Sequence, residues 1–340
     1  MTDSIRVLHY GVGHVGGEIV RLVHRRPDMT SVAAVDADPA KIGADLGMLV
    51  GEDAWGIFVS PDLKSALQDA EADIAIHTTG SFLPQVVDQL ETLIEAGLNI
   101  CSTCEGLAYP ALKHPELARR LDGLAKSKGV TIHGTGVNPG FIMDKFVLAV
   151  SGVCQEVRHV RVERIVDASK RRPPLQLKTG AGLSPKEFMA RTETGAVRHA
   201  GYRESVAMIA AGLGWELDRV EETIKPIIAT EPVSTDVLSV EPGQSLGLHQ
   251  EARGFVAVGA TGRSPLPLIE LILEMRVDRP QGYDRVILDG IPPMDVKVIG
   301  GTHGDRATTA VVVNSLALVL AAEPGLATIL DLPLAFGWGI

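Results

Sequence analysis

A chain of 340 residues with 45% hydrophobic and 22% charged residues has room for two ordinary globular domains and excludes a disordered or fibrous protein. Its net charge of -10 argues against a nucleic-acid or anionic-membrane surface, each of which needs clustered Lys and Arg. A small-molecule ligand is the better expectation.

The opening Met1-Thr-Asp-Ser runs straight into a strand-like Ile5 to Tyr10 with no apolar leader, so the expected location is cytoplasmic. The chain then alternates between β-rich and helical stretches: helix from Val15 to His24, strand from Thr30 to Asp36, strand from Ile74 to Thr78, helix from Leu83 to Ala96. Strand Asn99 to Thr103, helix Glu116 to Lys128 and strand Val130 to His133 continue it. Such alternation builds an α/β domain, a doubly wound parallel (Rossmann) sheet with helices on both faces. After Gly140 the rhythm changes. Val157 to Asp167, Ser234 to Val240, Glu251 to Ala260, Leu268 to Val277 and Met294 to Ile299 read as strands, which predicts a second α+β domain on a mostly antiparallel sheet. Ser184-Pro-Lys-Glu187 is a capping-box start of a helix, Glu204 to Leu213 makes a second, and the Glu-rich Asp218 to Thr223 is read as a third. The helix from Ala307 to Ala322 is apolar nearly all round and is expected to be buried between layers. The expected domains are residues 1–140, which bind a dinucleotide, 141–300, and a C-terminal segment 301–340.

Gly11-Val12-Gly13-His14-Val15-Gly16 follows a strand and opens a helix, the context that gives G-x-G-x-x-G meaning. Gly11 permits the tight turn, Gly13 lets the backbone approach a pyrophosphate, and Gly16 lets helix and strand pack closely, with the amides of Val12 to Val15 facing the phosphates. Asp36 stands twenty residues beyond Gly16, where a carboxylate accepts bonds from ribose hydroxyls and favours NAD. It can equally cap the turn at Asp38-Pro39, and Lys41 is close enough to admit the phosphate of NADP. The strand ends His77-Thr78-Thr79 and Thr103-Cys104-Glu105 lie at the carboxyl edge of the sheet, where open α/β sheets bind ligands. Thr78, Thr79 and Thr103 are candidates to line the cofactor. His77 is either a cofactor neighbour or a satisfied packing residue. Glu105 delivers a carboxylate that can hold a cation and shuttle protons, or that merely complements a helix N-terminus. Cys101 and Cys104 form C-x-x-C, but a metal site needs a second ligand pair; no metal is expected, and strand-end packing is the preferred reading. In the crossing Gly134 to Gly140, Asn138 is placed to bond the nicotinamide or a substrate carbonyl, or to stabilise the turn. From the second domain Arg161, Glu163, Arg164, Arg198, His199 and Tyr202 are polar candidates, each taken singly fitting a solvated or structural residue better; Arg161, Arg164 and His199 join Asn138 as expected substrate contacts.

Several stretches together resemble one family. They are the Gly11 to Gly17 loop, Val35-Asp-Ala-Asp-Pro-Ala-Lys-Ile-Gly43 with Asp45, Thr103-Cys-Glu105, Gly136-Val-Asn-Pro-Gly140, Ser184-Pro-Lys-Glu-Phe188, His199-Ala-Gly-Tyr-Arg-Glu-Ser205 and Gly301-Thr-His-Gly-Asp305. Over nearly its whole length the chain resembles the 2,4-diaminopentanoate dehydrogenase and native amine dehydrogenase family, distant relatives of dihydrodipicolinate reductase. The resemblance implies NAD(P)-dependent interconversion of an amine with a ketone plus ammonia, Glu105 in the catalytic carboxylate position, a homodimer, and a C-terminal helix that returns to the cofactor domain. The paired-His motif of true dihydrodipicolinate reductases is replaced by Arg164-Ile-Val-Asp167-Ala-Ser-Lys170, so that reductase activity is not expected. The rival expectations are an imine or small-carbonyl reductase on the same scaffold, and a nucleotide-sensing protein without turnover.

Overall fold

The computed structural model describes residues 4–169, 173–258, 262–263, 266–278 and 281–339. They form two compact units, one of Met1–Phe141 with His303–Ile340 and the other of Ile142–Thr302.

The first unit begins with β1 (Ile5–Tyr10), α1 (His14–His24), β2 (Met29–Val35), α2 (Leu46–Leu49), β3 (Val59–Ser60), α3 (Leu63–Ala66), β4 (Ile74–His77), α4 (Leu83–Glu95), β5 (Asn99–Ser102), α5 (Pro115–Lys128) and β6 (Thr131–Gly134). Alternation decides which side chain faces which layer. Leu8, Ala75, Ile100 and Ile132 pack on one side with Leu90 and Leu93 of α4 and Leu121 of α5. On the other side Val7, Ile74, Ile76 and Cys101 meet Ile19 and Val23 of α1. Strand ends lie level across the sheet, because Tyr10 pairs with both Val35 and His77, His77 with Ser102, and Ser102 with Gly134. One line of residues at the carboxyl edge therefore carries every sequence-predicted element of the cofactor site.

The second unit holds α6 (Lys145–Ser151), β7 (Glu156–Asp167), α7 (Pro173–Lys178), α8 (Pro185–Glu193), α9 (Tyr202–Gly212), β8 (Leu217–Ile228), β9 (Val233–Ser234), β10 (Ser239–Val240), β11 (Ser245–Val258), β12 (Gly262–Arg263), β13 (Ile269–Arg276), β14 (Tyr283–Ile291) and β15 (Met294–Ile299). Its main sheet runs β12-β11-β13-β7-β14-β15 with β8 added on β11, and only β13 and β7 pair in parallel. Two expectations fail here. The stretch read as a helix from Asp218 to Thr223 is strand, because Val220, Glu222 and Ile224 turn inward while Asp218, Glu221 and Thr223 face out, and β11 supplies the partner, Glu221 opposite Arg253. Period two overrides the helix propensity of its glutamates. The strand expected from Ser234 to Val240 is a tight hairpin instead, since Thr235 Oγ1 accepts from the amides of Val237 and Leu238. Ala260, the expected end of another strand, lies outside the described residues.

The chain then returns to the first unit with α10 (Gly304–Ala321) and β16 (Gly325–Ala327). β16 pairs in parallel with β6 and completes the all-parallel order β16-β6-β5-β4-β1-β2-β3. Helix α10 is not enclosed on all sides, as its composition suggests. Only Thr309, Val312, Val313, Ser315, Leu316 and Val319 are buried, and the apolar ones among them pack against the Val7, Ile74 and Cys101 side of the sheet. A helix lying on one face of a sheet needs one apolar stripe, so its remaining valines and leucines stay partly exposed within the unit.

Candidate active site

The glycine loop leaves β1 in a conformation that only glycine takes without strain, Gly11 having φ +96°. A Cβ on Gly16 would stand 2.2 Å from the Gly11 carbonyl oxygen and 2.8 Å from Thr78 Oγ1, whereas a Cβ on Gly13 would meet nothing within 4 Å. The loop is thus closed on its protein side and open at the one position where a pyrophosphate needs to approach the backbone. That difference fits a dinucleotide rather than a plain strand-to-helix turn. Thr78 supports the loop from behind, donating its hydroxyl to the Gly11 carbonyl at 2.7 Å.

Asp36, just past β2, accepts from the Val12 amide at 2.7 Å, the Asp38 amide at 2.9 Å and Lys41 Nζ at 3.0 Å. Partial burial works against its charge, but those amides and Lys41 outweigh it and hold the carboxyl below its ordinary range. Asp36 thus caps its turn and is fastened beside the glycine loop. Asp45, present in the sequence motif, is a loop organiser. Its carboxylate accepts from the amides of Gly47, Met48, Trp55 and Gly56.

At the next strand end His77 is fully buried, Nδ1 lying 2.8 Å from Ser102 Oγ and Nε2 2.9 Å from Gln89 Oε1. Burial pushes its pKa down to about 4, against the opposing bond from Gln89. The ring has no exposed atom to offer a cofactor; it braces Thr79, which is exposed, through Nε2 at 2.8 Å. Thr103, half-buried, ties its amide to the His77 carbonyl at 3.0 Å. Glu105 opens a short 3-10 turn, Glu105–Leu107, directly beyond β5 and is half-buried. The turn hangs from the β4 side through the Gly106 amide on the Ser81 carbonyl at 3.0 Å. Cys101 and Cys104 are buried, and the Cys101 thiol, pushed up to about 12 by burial, points at the Val312 carbonyl 3.7 Å away. Packing is their role.

Asn138 is buried in the crossing after β6, where the Val137 amide donates to Thr308 Oγ1 of α10 at 3.2 Å. The same helix brings Asp305 to within 3.5 Å of His14 Nε2. Sequence reasoning missed Asp305 as a neighbour of the glycine loop, although it falls in the Gly301 to Asp305 motif, and Thr308 as a neighbour of the crossing after β6. It also missed Ser102 and Gln89.

In the second unit the three predicted substrate contacts differ. Arg161 pairs along its own strand with Glu163 at 2.9 Å. Arg164 is buried with its donors directed to Asp284 Oδ1 at 3.0 Å and to the Thr302 carbonyl at 3.0 Å, and Asp284 also binds the Thr302 hydroxyl. Its guanidinium thereby ties β7 to Asp284 at the start of β14 and to Thr302. His199 donates from Nδ1 to the Ala200 carbonyl at 2.7 Å, and its amide donates to Gln250 Oε1. Burial, reinforced by the charges of Arg164, Lys178 and Arg198, lowers its pKa to about 4, so the ring is neutral with Nε2 left as an acceptor. Tyr202 turns its hydroxyl to Met143 Sδ, and Arg198 pairs with Glu222.

A parallel sheet with strand order 3-2-1-4-5-6, a glycine loop open at Gly13 and an acid beside it define a nicotinamide-dependent oxidoreductase. Residues 141–338 match the 2,4-diaminopentanoate dehydrogenase C-terminal domain, and residues 5–108 match the dihydrodipicolinate reductase N-terminus. The chain belongs to the 2,4-diaminopentanoate dehydrogenase family. It is 27% identical to a 2,4-diaminopentanoate dehydrogenase of Acetoanaerobium sticklandii over 97% of this chain and 94% of that one. It is 24% identical to an amine dehydrogenase of Streptomyces virginiae over 97% and 96%. Among solved structures it superposes on the amine dehydrogenase from Mycobacterium smegmatis with TM-score 0.83 and 26% identity, covering 98% of each chain. Among the described residues no helix is long and apolar enough to cross a membrane.

Proposed function

We propose that the protein catalyses the reversible oxidative deamination of a small amine to a ketone and ammonia, with Glu105 as the catalytic carboxylate. The observation that carries this reading is the place of Glu105: the first residue of a turn at the carboxyl end of β5, within a dinucleotide-binding sheet. The dehydrogenase relatives support it. The glycine loop from Gly11 to Gly16 would hold the pyrophosphate and Asp36 the adenosine ribose, with Lys41 available to a 2′-phosphate, so NAD is preferred and NADP accepted. When bound, the nicotinamide supplies a hydride acceptor for the carbon bearing the amine, and a donor in reverse.

The chain's own task is charge and proton control. Loss of hydride from an amine leaves an iminium cation, which an ionised carboxylate stabilises. Water then adds to the iminium carbon while one of its protons goes to Glu105; the same group returns that proton to the nitrogen, and as the C–N bond breaks the hydroxyl proton passes back to the carboxylate, leaving the ketone and ammonia. Thr79 and Thr103 stand at the same sheet edge, and Asn138 follows the neighbouring strand. A homodimer, expected from the family resemblance, is checked by sedimentation.

The test is oxidation of NADH and NADPH with a panel of small aliphatic ketones and oxo acids, with and without high ammonium, for the native protein and Glu105→Gln. Ammonium-dependent oxidation that falls by about 100-fold or more in the variant is expected. Oxidation indifferent to ammonium favours the imine or carbonyl reductase reading, and a fully active variant removes Glu105 from the mechanism.

A further inference from the structure

The end of β4 is joined to the Glu105 turn by a chain of hydrogen bonds with one consistent direction, buried from His77 onward and open at its Gln89 end. Gln89 Oε1 receives the Thr79 hydroxyl at 2.5 Å and lies 2.9 Å from His77 Nε2. An amide oxygen only accepts, so the imidazole proton sits on Nε2. Nδ1 is then left with a lone pair and accepts from the Ser102 hydroxyl at 2.8 Å, and Ser102 Oγ accepts from the Cys104 amide at 3.1 Å. His77 and Ser102 are wholly buried, so no water stands ready to replace a missing member.

The backbone around Glu105 is tied at three amides. Thr103 donates to the His77 carbonyl and Gly106 to the Ser81 carbonyl, each at 3.0 Å. The Cys104 amide, next to Glu105 itself, is instead held by the Ser102 side chain. Apolar residues at 77 and 102 would close the two strand ends with less desolvation. The polar chain adds what they would not, a fixed rotation of the Cys104 peptide and hence of the origin of the Glu105 side chain.

We propose that Ser102 and His77, braced by Gln89, are positioning residues that set the reach of Glu105. This rests on the reading that Glu105 carries the proton chemistry. Burial keeps His77 neutral, with its pKa about 4, so the direction of the chain persists throughout the neutral range.

The experiment compares Ser102→Ala, Ser102→Thr, Gln89→Leu and Glu105→Gln in the ammonium-dependent assay, with coenzyme affinity from NADH fluorescence and melting temperature measured alongside. Displacing a reacting group by about 1 Å costs on the order of 100-fold, so Ser102→Ala is expected to lower kcat by roughly 10- to 100-fold. Coenzyme affinity should hold within about twofold, and the acid limb of the pH profile of kcat/KM should move, because the environment of Glu105 changes. Ser102→Thr, which keeps the hydroxyl, should restore both. Gln89→Leu alters the half-buried end of the chain without opening the core and should act in the same direction, which keeps the test alive if Ser102→Ala does not fold. Ser102→Ala and Gln89→Leu proteins with native kcat and pH profile, beside an inactive Glu105→Gln, overturn the positioning role while sparing the reading of Glu105. An active Glu105→Gln removes both.

Discussion

Two glycines three residues apart in one loop should respond to the same substitution in opposite ways. In Gly16→Ala the new methyl would lie 2.2 Å from a backbone oxygen and 2.8 Å from Thr78 Oγ1, about 1 Å inside normal contact, and neither the Gly11 carbonyl nor the strand behind it can retreat freely. Overpacking of this kind costs about 1–3 kcal/mol, and at about 2–4 °C per kcal/mol for a unit of this size the melting temperature should fall by roughly 5–10 °C. In Gly13→Ala the methyl enters open space, and the backbone there, φ -75° and ψ -164°, is one alanine adopts readily. Gly13 caps α1, a position where alanine is slightly poorer, but the loss of unfolded-state entropy offsets this, leaving stability within about 1 kcal/mol. Coenzyme binding should nevertheless weaken by about tenfold or more in Gly13→Ala, because the space it fills is the one a pyrophosphate approaches. Calorimetry and NADH fluorescence titration give the two readouts. A Gly13→Ala protein of native stability that binds NADH as well as the native one would refute the assignment of this loop to the phosphates.

Lys41→Met removes the cation beside Asp36 and should reduce NADPH affinity by about five- to tenfold with NADH within about twofold, read by titration with each coenzyme; equal loss of both would move the 2′-phosphate contact elsewhere. Asp45→Ala frees four amides and should lower the melting temperature more than Asp62→Ala, whose carboxylate caps the exposed Ser65 amide. Burial disfavours the Asp45 charge, but the amides of Trp55, Met48, Gly56 and Gly47 outweigh it, so the folded pKa lies below the unfolded one. Its contribution is then complete above the unfolded value of about 4 and is lost as pH falls through the lower folded value; melting curves of native and variant protein should converge only in acid. Arg164→Ala leaves Asp284 buried without its cation and should destabilise by about 3–5 kcal/mol, while Arg164→Met with Asp284→Leu recovers much of that. Unchanged stability in the single variant would return Arg164 to the substrate contacts.

The first unit was legible because each of its signals is local. Alternation of Leu8 with Val7 and His9, the glycines at 11, 13 and 16, and an acid at 36 specify strand, loop and strand without reference to distant residues. The same logic places Glu105 at the end of a strand, where the structure has it directly beyond β5. What escaped was set by partners far away in sequence. The glutamates before Ile224 suggest a helix until β11 is placed beside them, and α10 suggests a fully buried helix until the sheet it covers on one side is known. Nothing in the sequence near Arg164, a candidate substrate contact, reveals Asp284, 120 residues on. His77 was left open between two roles, and only Ser102 and Gln89, brought to its two nitrogens by β5 and α4, decide between them.

The unit that holds the glycine loop is completed by the last part of the chain. Strand β16 joins β6 across nearly two hundred residues, and α10 covers the apolar side formed by Val7, Ile74, Ile76 and Cys101. During synthesis the loop emerges well before α10 and β16, so that side of its sheet stays uncovered until the residues beyond 303 have been made, and closing so long a loop delays the final docking. A chain cut short after Thr302 would carry all the glycines, Asp36 and Glu105 and still expose an apolar surface prone to association. Fusions and truncations at the C-terminal end should accordingly be more damaging to coenzyme binding than their distance in sequence from the glycine loop suggests.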